Sequence, residues 1–139
     1  MYILDTDIAT LAFHAQPVVL KRIGQALVTG DDVRLSIVTL REIMEGRIHE
    51  ISRAKPPQKT IDAYNGLRTS AAFIASYAVE PFTLGSLARF EVLTKLRLNV
   101  AKDDLRTAAI ALEAGAIVVT RNLRDFRRVP GLTCEDWSV

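Results

Sequence analysis

Short apolar runs alternate with longer amphipathic stretches from one end of the chain to the other. Residues 2–4, YIL, are apolar and β-prone, and two acids, Asp5 and Asp7, follow at once. The pattern predicts a strand ending at Asp5 and a short helix over 6–13. Pro17 suits the first turn of a second helix over 18–28, where its missing N–H costs no hydrogen bond. After a Gly30-Asp31-Asp32 turn, VRLSI at 33–37 alternates apolar and polar residues as a half-buried strand does. Leu40, Ile43, Met44, Ile48 and Ile51 recur at helical spacing over 39–53. Pro56-Pro57 must break that helix, and so short a break predicts the corner of a helical hairpin whose second arm runs over 58–76. A short strand in YAVEPF, a helix over 84–98 and a helix over 103–114 follow. The last carries Leu105, Ala108, Ala109 and Leu112 on one face, with Gly115 as its stop signal. AIVV at 116–119 reads as a continuous apolar strand, and GLTCEDW as an edge strand.

Strands that alternate with helices predict an α/β fold with a mostly parallel sheet and helices on both faces. The 139 residues suit a single domain, 1–139, long enough to bury one core. No apolar run approaches the roughly 20 residues a membrane span needs, so no membrane role is expected. No basic-then-apolar leader opens the chain, and the lone Cys134 has no internal disulfide partner, so a cytoplasmic location is expected. Net charge is only +2, which excludes a general polycation. Arg121, Arg124, Arg127 and Arg128 nevertheless crowd one segment, either as a solvated loop or as a phosphate-contacting edge.

Functional groups in open parallel sheets collect at the carboxyl ends of strands. Asp5 ends the first strand, Thr120 and Asn122 follow AIVV, Asp103 and Asp104 open the helix feeding that strand, and Glu42 lies about one turn into the helix after VRLSI. Each acid has a local explanation, as a helix cap or as a favourable charge in a first turn. Together they bring oxygen donors from separate segments to one rim, where they would repel unless a cation neutralised them. Oxygen ligands without paired His or Cys suit a hard ion such as Mg²⁺ or Mn²⁺ rather than zinc. His14 and His49 lack a second ligand at zinc spacing. No phosphate-cradling glycine loop and no GxSxG elbow is present.

LDTD at the start, SIVTLREIMEG from residue 36, DDLRTAAIALEAGAIVVTRNLRDFRRVPGL from 103 and the closing EDW together resemble the PIN-domain ribonucleases. More closely, they resemble the VapC-type toxins of toxin–antitoxin pairs, over nearly the whole chain and least from about 56 to 100. The resemblance implies a three-layer α/β/α sandwich and an endoribonuclease that uses Mg²⁺ or Mn²⁺. It implies Asp5, Glu42 and Asp104 as metal-holding catalytic acids, with Asn122 where the family often has a fourth acid, a departure that weakens a second metal site. It also implies Thr6, Ser36 and Thr120 as supporting hydroxyls. Asp125 reads as supporting structure. On this reading a metal-activated water attacks an RNA phosphodiester, and Arg121, Arg124, Arg127 and Arg128 contact flanking phosphates. The partners implied are an RNA substrate, a cognate antitoxin and a second copy in a homodimer. Three rivals are weighed: a catalytically weak PIN-like module that binds RNA or protein, a phosphatase-like or DNA-cutting enzyme built on the same acids, and a flavodoxin-like regulatory domain with an acidic pocket, which the missing downstream Lys at a strand end disfavours.

Overall fold

The computed structural model describes residues 1–139. In chain order its elements are β1 (Tyr2–Leu4), α1 (Thr6–Phe13), α2 (Pro17–Val28), β2 (Val33–Ser36), α3 (Ile37–Arg53) and α4 (Gln58–Ala75). They continue as β3 (Ala78–Glu80), α5 (Leu84–Lys95), α6 (Lys102–Ala114), β4 (Ile117–Val119), α7 (Leu123–Phe126) and β5 (Cys134–Glu135). The strands form one sheet in the order β3-β2-β1-β4-β5, and every neighbouring pair is parallel.

Side-chain alternation along these short strands makes the sheet the middle of three layers. Ile3 and Val118, paired in register, point into one core with Leu105, Ala108, Ala109, Phe126 and Val129. Leu4, flanked by Leu35 and Val119, points into the other with Ile8, Ala9, Val19, Ile23 and Trp137. The sandwich is thus PIN-like, with α1 and α2 on one face and α5, α6 and α7 on the other. Fully buried side chains such as Ile3, Leu4 and Phe126 each contribute roughly 1.5–3 kcal/mol by leaving water.

Local chemistry sets the boundaries, and several differ from expectation. β2 ends at Ser36 rather than at 37, because the Ser36 hydroxyl oxygen accepts the Thr39 N–H at 3.0 Å and caps a helix that opens at Ile37. Helix α5 stops at Lys95 rather than 98, since Arg97 and Asn99 take φ of 51° and 56°, outside any right-handed helix. Gly115, at φ 63°, terminates α6 as its composition predicts. The single turn α7 has no counterpart in the sequence expectation. Four residues are too few to show a periodicity.

The connections fix where a crevice opens. From β1 the chain runs outward to β2 and β3, then crosses back to place β4 on the other side of β1. The helix after β1 buries Ile8, Ala9 and Ala12 in one layer, while α7 after β4 buries Phe126 in the other. The carboxyl ends of β1 and β4 are therefore neighbours whose chains depart to opposite faces, the switch point at which open α/β sheets hold their ligands.

Candidate active site at the β1–β4 switch point

Asp5 leaves β1 at that switch point and is 9 % exposed. It caps α1: one carboxylate oxygen accepts the Thr6 N–H at 2.9 Å, and the other accepts the Thr120 hydroxyl, also at 2.9 Å. The capping reading of Asp5 is therefore correct as far as it goes. A cap alone does not require burial beside other acids. Burial, reinforced by the charges of Asp7 and Asp104 and opposed by the two hydrogen bonds, pushes the Asp5 carboxyl from 3.8 up to about 7. A group so placed gains from a neighbouring cation.

Glu42 lies in the second turn of α3, two residues deeper than a helix starting at 39 would put it. The Thr6 hydroxyl donates to its Oε2, so the residue after Asp5 orients the second acid. Asp104 sits in the first turn of α6. Neither Asp103 nor Asp104 caps that helix; Ala101 occupies the position and supplies no side-chain bond. Burial, then Glu42 and Asp125, raise the Asp104 carboxyl, and a hydrogen bond from Asn122 partly offsets them. Asp103 instead pairs with Arg41 and, at 2.7 Å, with Arg106.

The segment 120–122 ties these acids together. The fully buried Thr120 donates to Asp5 and accepts the Asn122 backbone N–H at 3.0 Å. The Arg121 N–H donates to Asp7 Oδ2 at 3.2 Å, while Asp7 Oδ1 is buried with no partner. Burial is the first cause that raises the Asp7 carboxyl, with Asp136 adding to it and the Arg121 contacts opposing it. The Asn122 side-chain nitrogen donates to Asp104 at 3.3 Å and to Asp125 at 3.1 Å. Asp125 is held below the ordinary carboxylate range by that bond and by Arg124 and Arg128. Asp125 thus stands at the rim as the partner of the Asn122 side chain. Asn122 takes the N-cap position of α7 without a side-chain capping bond, and Asp125 stands three residues on, within reach of its side chain.

Other expected residues are placed as follows. Ser36 is fully buried and its hydroxyl works within the first turn of α3, donating to Thr39 at 3.2 Å. Arg121, Arg124 and Arg127 are exposed around α7. Arg128 is committed to the chain itself, donating to the Asn99 carbonyl at 2.9 Å. His14 and His49 are exposed on the surface.

Asp5, Glu42 and Asp104 thus act on one another across the switch point without closing into a ligand shell: no group of three or more His, Cys, Asp or Glu stands close enough to hold a metal ion. The donor set nonetheless has the chemistry of a hard-cation site, being all oxygen, mutually repelling and partly desolvated. No helix is long and apolar enough to cross a membrane.

No family model matches the chain. It is 27% identical over 138 residues to Ribonuclease VapC2 of Rickettsia felis, covering 99% of this chain and 98% of that protein. It is 28% identical over 137 residues to the tRNA(fMet)-specific endonuclease VapC of Shigella flexneri, with the same coverage. Among solved structures, DNA-bound VapBC from Salmonella typhimurium superposes with a TM-score of 0.77 at 25% identity, over 98% of this chain and 97% of that one. Sheet order, switch-point acids and these matches define a PIN-domain-like fold. The chain is homologous to the VapC-type toxins of toxin–antitoxin systems.

Proposed function

We propose that this protein is the toxin of a toxin–antitoxin pair and acts as a Mg²⁺- or Mn²⁺-dependent endoribonuclease. The observation that carries the proposal is the convergence of Asp5, Glu42 and Asp104, from three separate elements, on the β1–β4 switch point of a VapC-like fold. Asp5, Glu42 and Asp104 would hold the ion. A divalent ion held there supplies a water of lowered pKa and offsets the charge of the scissile phosphodiester. Thr120 and Thr6 fix the rotamers of Asp5 and Glu42, so the acids are oriented before substrate arrives. Arg121, Arg124 and Arg127, exposed beside the acids, contact flanking phosphates, each contact displacing counterions from the RNA. Recognition of unpaired, unstacked bases suits such a rim better than reading of a duplex groove.

One named relative is called a ribonuclease and the other a tRNA(fMet)-specific endonuclease, and the Salmonella relative is solved as VapBC bound to DNA. By that homology a cognate antitoxin is the proposed protein partner, and a homodimer, a cytoplasmic location and a single 1–139 domain are proposed with it. The test is a panel of single-stranded RNAs incubated with Mg²⁺ or Mn²⁺, alongside single-stranded DNA and a phosphomonoester. Cleavage of RNA alone, abolished by EDTA and by Glu42→Gln, supports the proposal. RNA binding without cleavage would favour the binding-module reading, which the lack of a closed acid cluster keeps in view.

A further inference from the structure

We propose that Asn122 is a positioning residue that straps Asp104 to Asp125 through its side-chain NH₂, rather than an oxygen donor on the metal side of the site. The proposal rests on the reading of Asp104 as a metal-holding acid.

The family resemblance implies a further acid at the position of Asn122, and the amide oxygen would then be a neutral ligand. The geometry points the other way. The side-chain nitrogen lies 3.3 Å from Asp104 Oδ2 and 3.1 Å from Asp125 Oδ2. Ionised carboxylates only accept hydrogen bonds, so a carboxamide lodged between two of them must present its NH₂, and both of its protons are then engaged. The amide oxygen is left facing away from the two acids. The backbone of Asn122 is fixed as well, since its N–H donates to Thr120 Oγ1 at 3.0 Å and the same hydroxyl donates to Asp5 at 2.9 Å. A continuous chain of hydrogen bonds therefore runs from Asp5 through Thr120 and Asn122 to Asp104 and Asp125. It links the end of β1 to the start of α6 by hydrogen bonds, beside the core packing of Ile3 against Leu105 and Ala108. A carboxylate at 122 would break the chain twice, by removing the donor and by adding a third negative charge against two others. A neutral donor holds two like charges near each other; a fourth acid would drive them apart.

Two readouts test this. In the ¹⁵N spectrum of the protein, the Asn122 side-chain amide protons should exchange slowly with water, and Asp125→Asn should shift one of them. Both signals should persist when Mg²⁺ is added. By calorimetry, Asn122→Ala and Asp125→Ala should each weaken Mn²⁺ binding by about tenfold to a hundredfold, as loss of a partner behind a ligand does. The double variant should bind no more weakly than either single one, because the two residues act as one unit. Asn122→Asp, which retains size, should also bind Mn²⁺ more weakly and gain no second ion. Tighter binding or a second ion in Asn122→Asp would overturn the proposal, as would fast-exchanging Asn122 protons that ignore Asp125→Asn. If the native protein takes up no Mn²⁺, the metal reading fails, and the amide spectrum still decides whether the strap exists.

Discussion

Replacing Asp5 by Asn should make the protein more stable and inactive at once. The Asp5 carboxyl titrates near 7 in the fold against 3.8 ordinarily, chiefly because it is buried. Its folded-state pKa is raised, so the protonated acid is the form the fold prefers. Well below pH 4 the group is neutral in both folded and unfolded chains and costs nothing. As pH rises through the window from about 4 to about 7 the unfolded chain releases the proton first, and stability falls. Above pH 7 the cost is fully developed. At about 1.36 kcal/mol per pH unit between the two values it is on the order of 4 kcal/mol. An amide at position 5 removes that charge. It still accepts the Thr6 N–H but loses the charge-assisted bond from Thr120, which returns about 2 kcal/mol. The net gain of about 2 kcal/mol corresponds to roughly 5–10 °C in Tm. Thermal melts in EDTA at pH 5 and pH 8 compare the two proteins, with RNA cleavage measured in parallel. Asp5→Asn should exceed the native protein in Tm at pH 8, lose that advantage at pH 5, and should not cleave. A variant with no pH-dependent advantage would refute the argument that burial governs Asp5. An active variant would reduce Asp5 to a cap.

Further outcomes follow from the same geometry. Thr120→Val removes the hydroxyl that bonds Asp5 and Asn122; it should cost about 1–3 kcal/mol in urea unfolding and weaken Mn²⁺ binding measured by calorimetry. Replacing Arg121, Arg124 and Arg127 with Gln should lower RNA affinity and flatten its dependence on salt by roughly one counterion per lost contact, with Tm unchanged because all three are exposed. Phe126→Ala should destabilise by about 3–5 kcal/mol, since this fully buried ring fastens α7, and with it Asn122 and Asp125, to the core.

Most of the fold was legible because its signals are local. Pro17 at a first turn, Gly115 after a helix and the apolar runs YIL and AIVV report on their own neighbourhoods, and the structure follows them closely. Parallel pairing came from the alternation of element types alone. Less legible were features that depend on which way a side chain turns. Ser36 reads as a strand residue until its hydroxyl is seen to cap α3. Only the family resemblance separates Asp103 from Asp104 in the sequence; in the fold one faces Arg41 and Arg106 and the other faces the acids. The bond from Thr120 to Asp5 spans 115 positions and leaves no trace in any local pattern. For the same reason Asn122 shows only as a departure from an acid, while its role as a donor to two carboxylates emerges from the placement of α7.

If Asp5, Glu42 and Asp104 hold a divalent ion that activates water for attack on RNA, the ends of the cleaved strands record it. A 5′-labelled single-stranded RNA is incubated with the native protein and with Asp104→Asn across a Mn²⁺ titration, and the product termini are analysed. The expected products carry 5′-phosphate and 3′-hydroxyl ends, form only with Mn²⁺ or Mg²⁺, and are absent with Asp104→Asn. Cleavage that survives EDTA, or products ending in 2′,3′-cyclic phosphate from attack by the RNA's own 2′-hydroxyl, would contradict metal activation of the water.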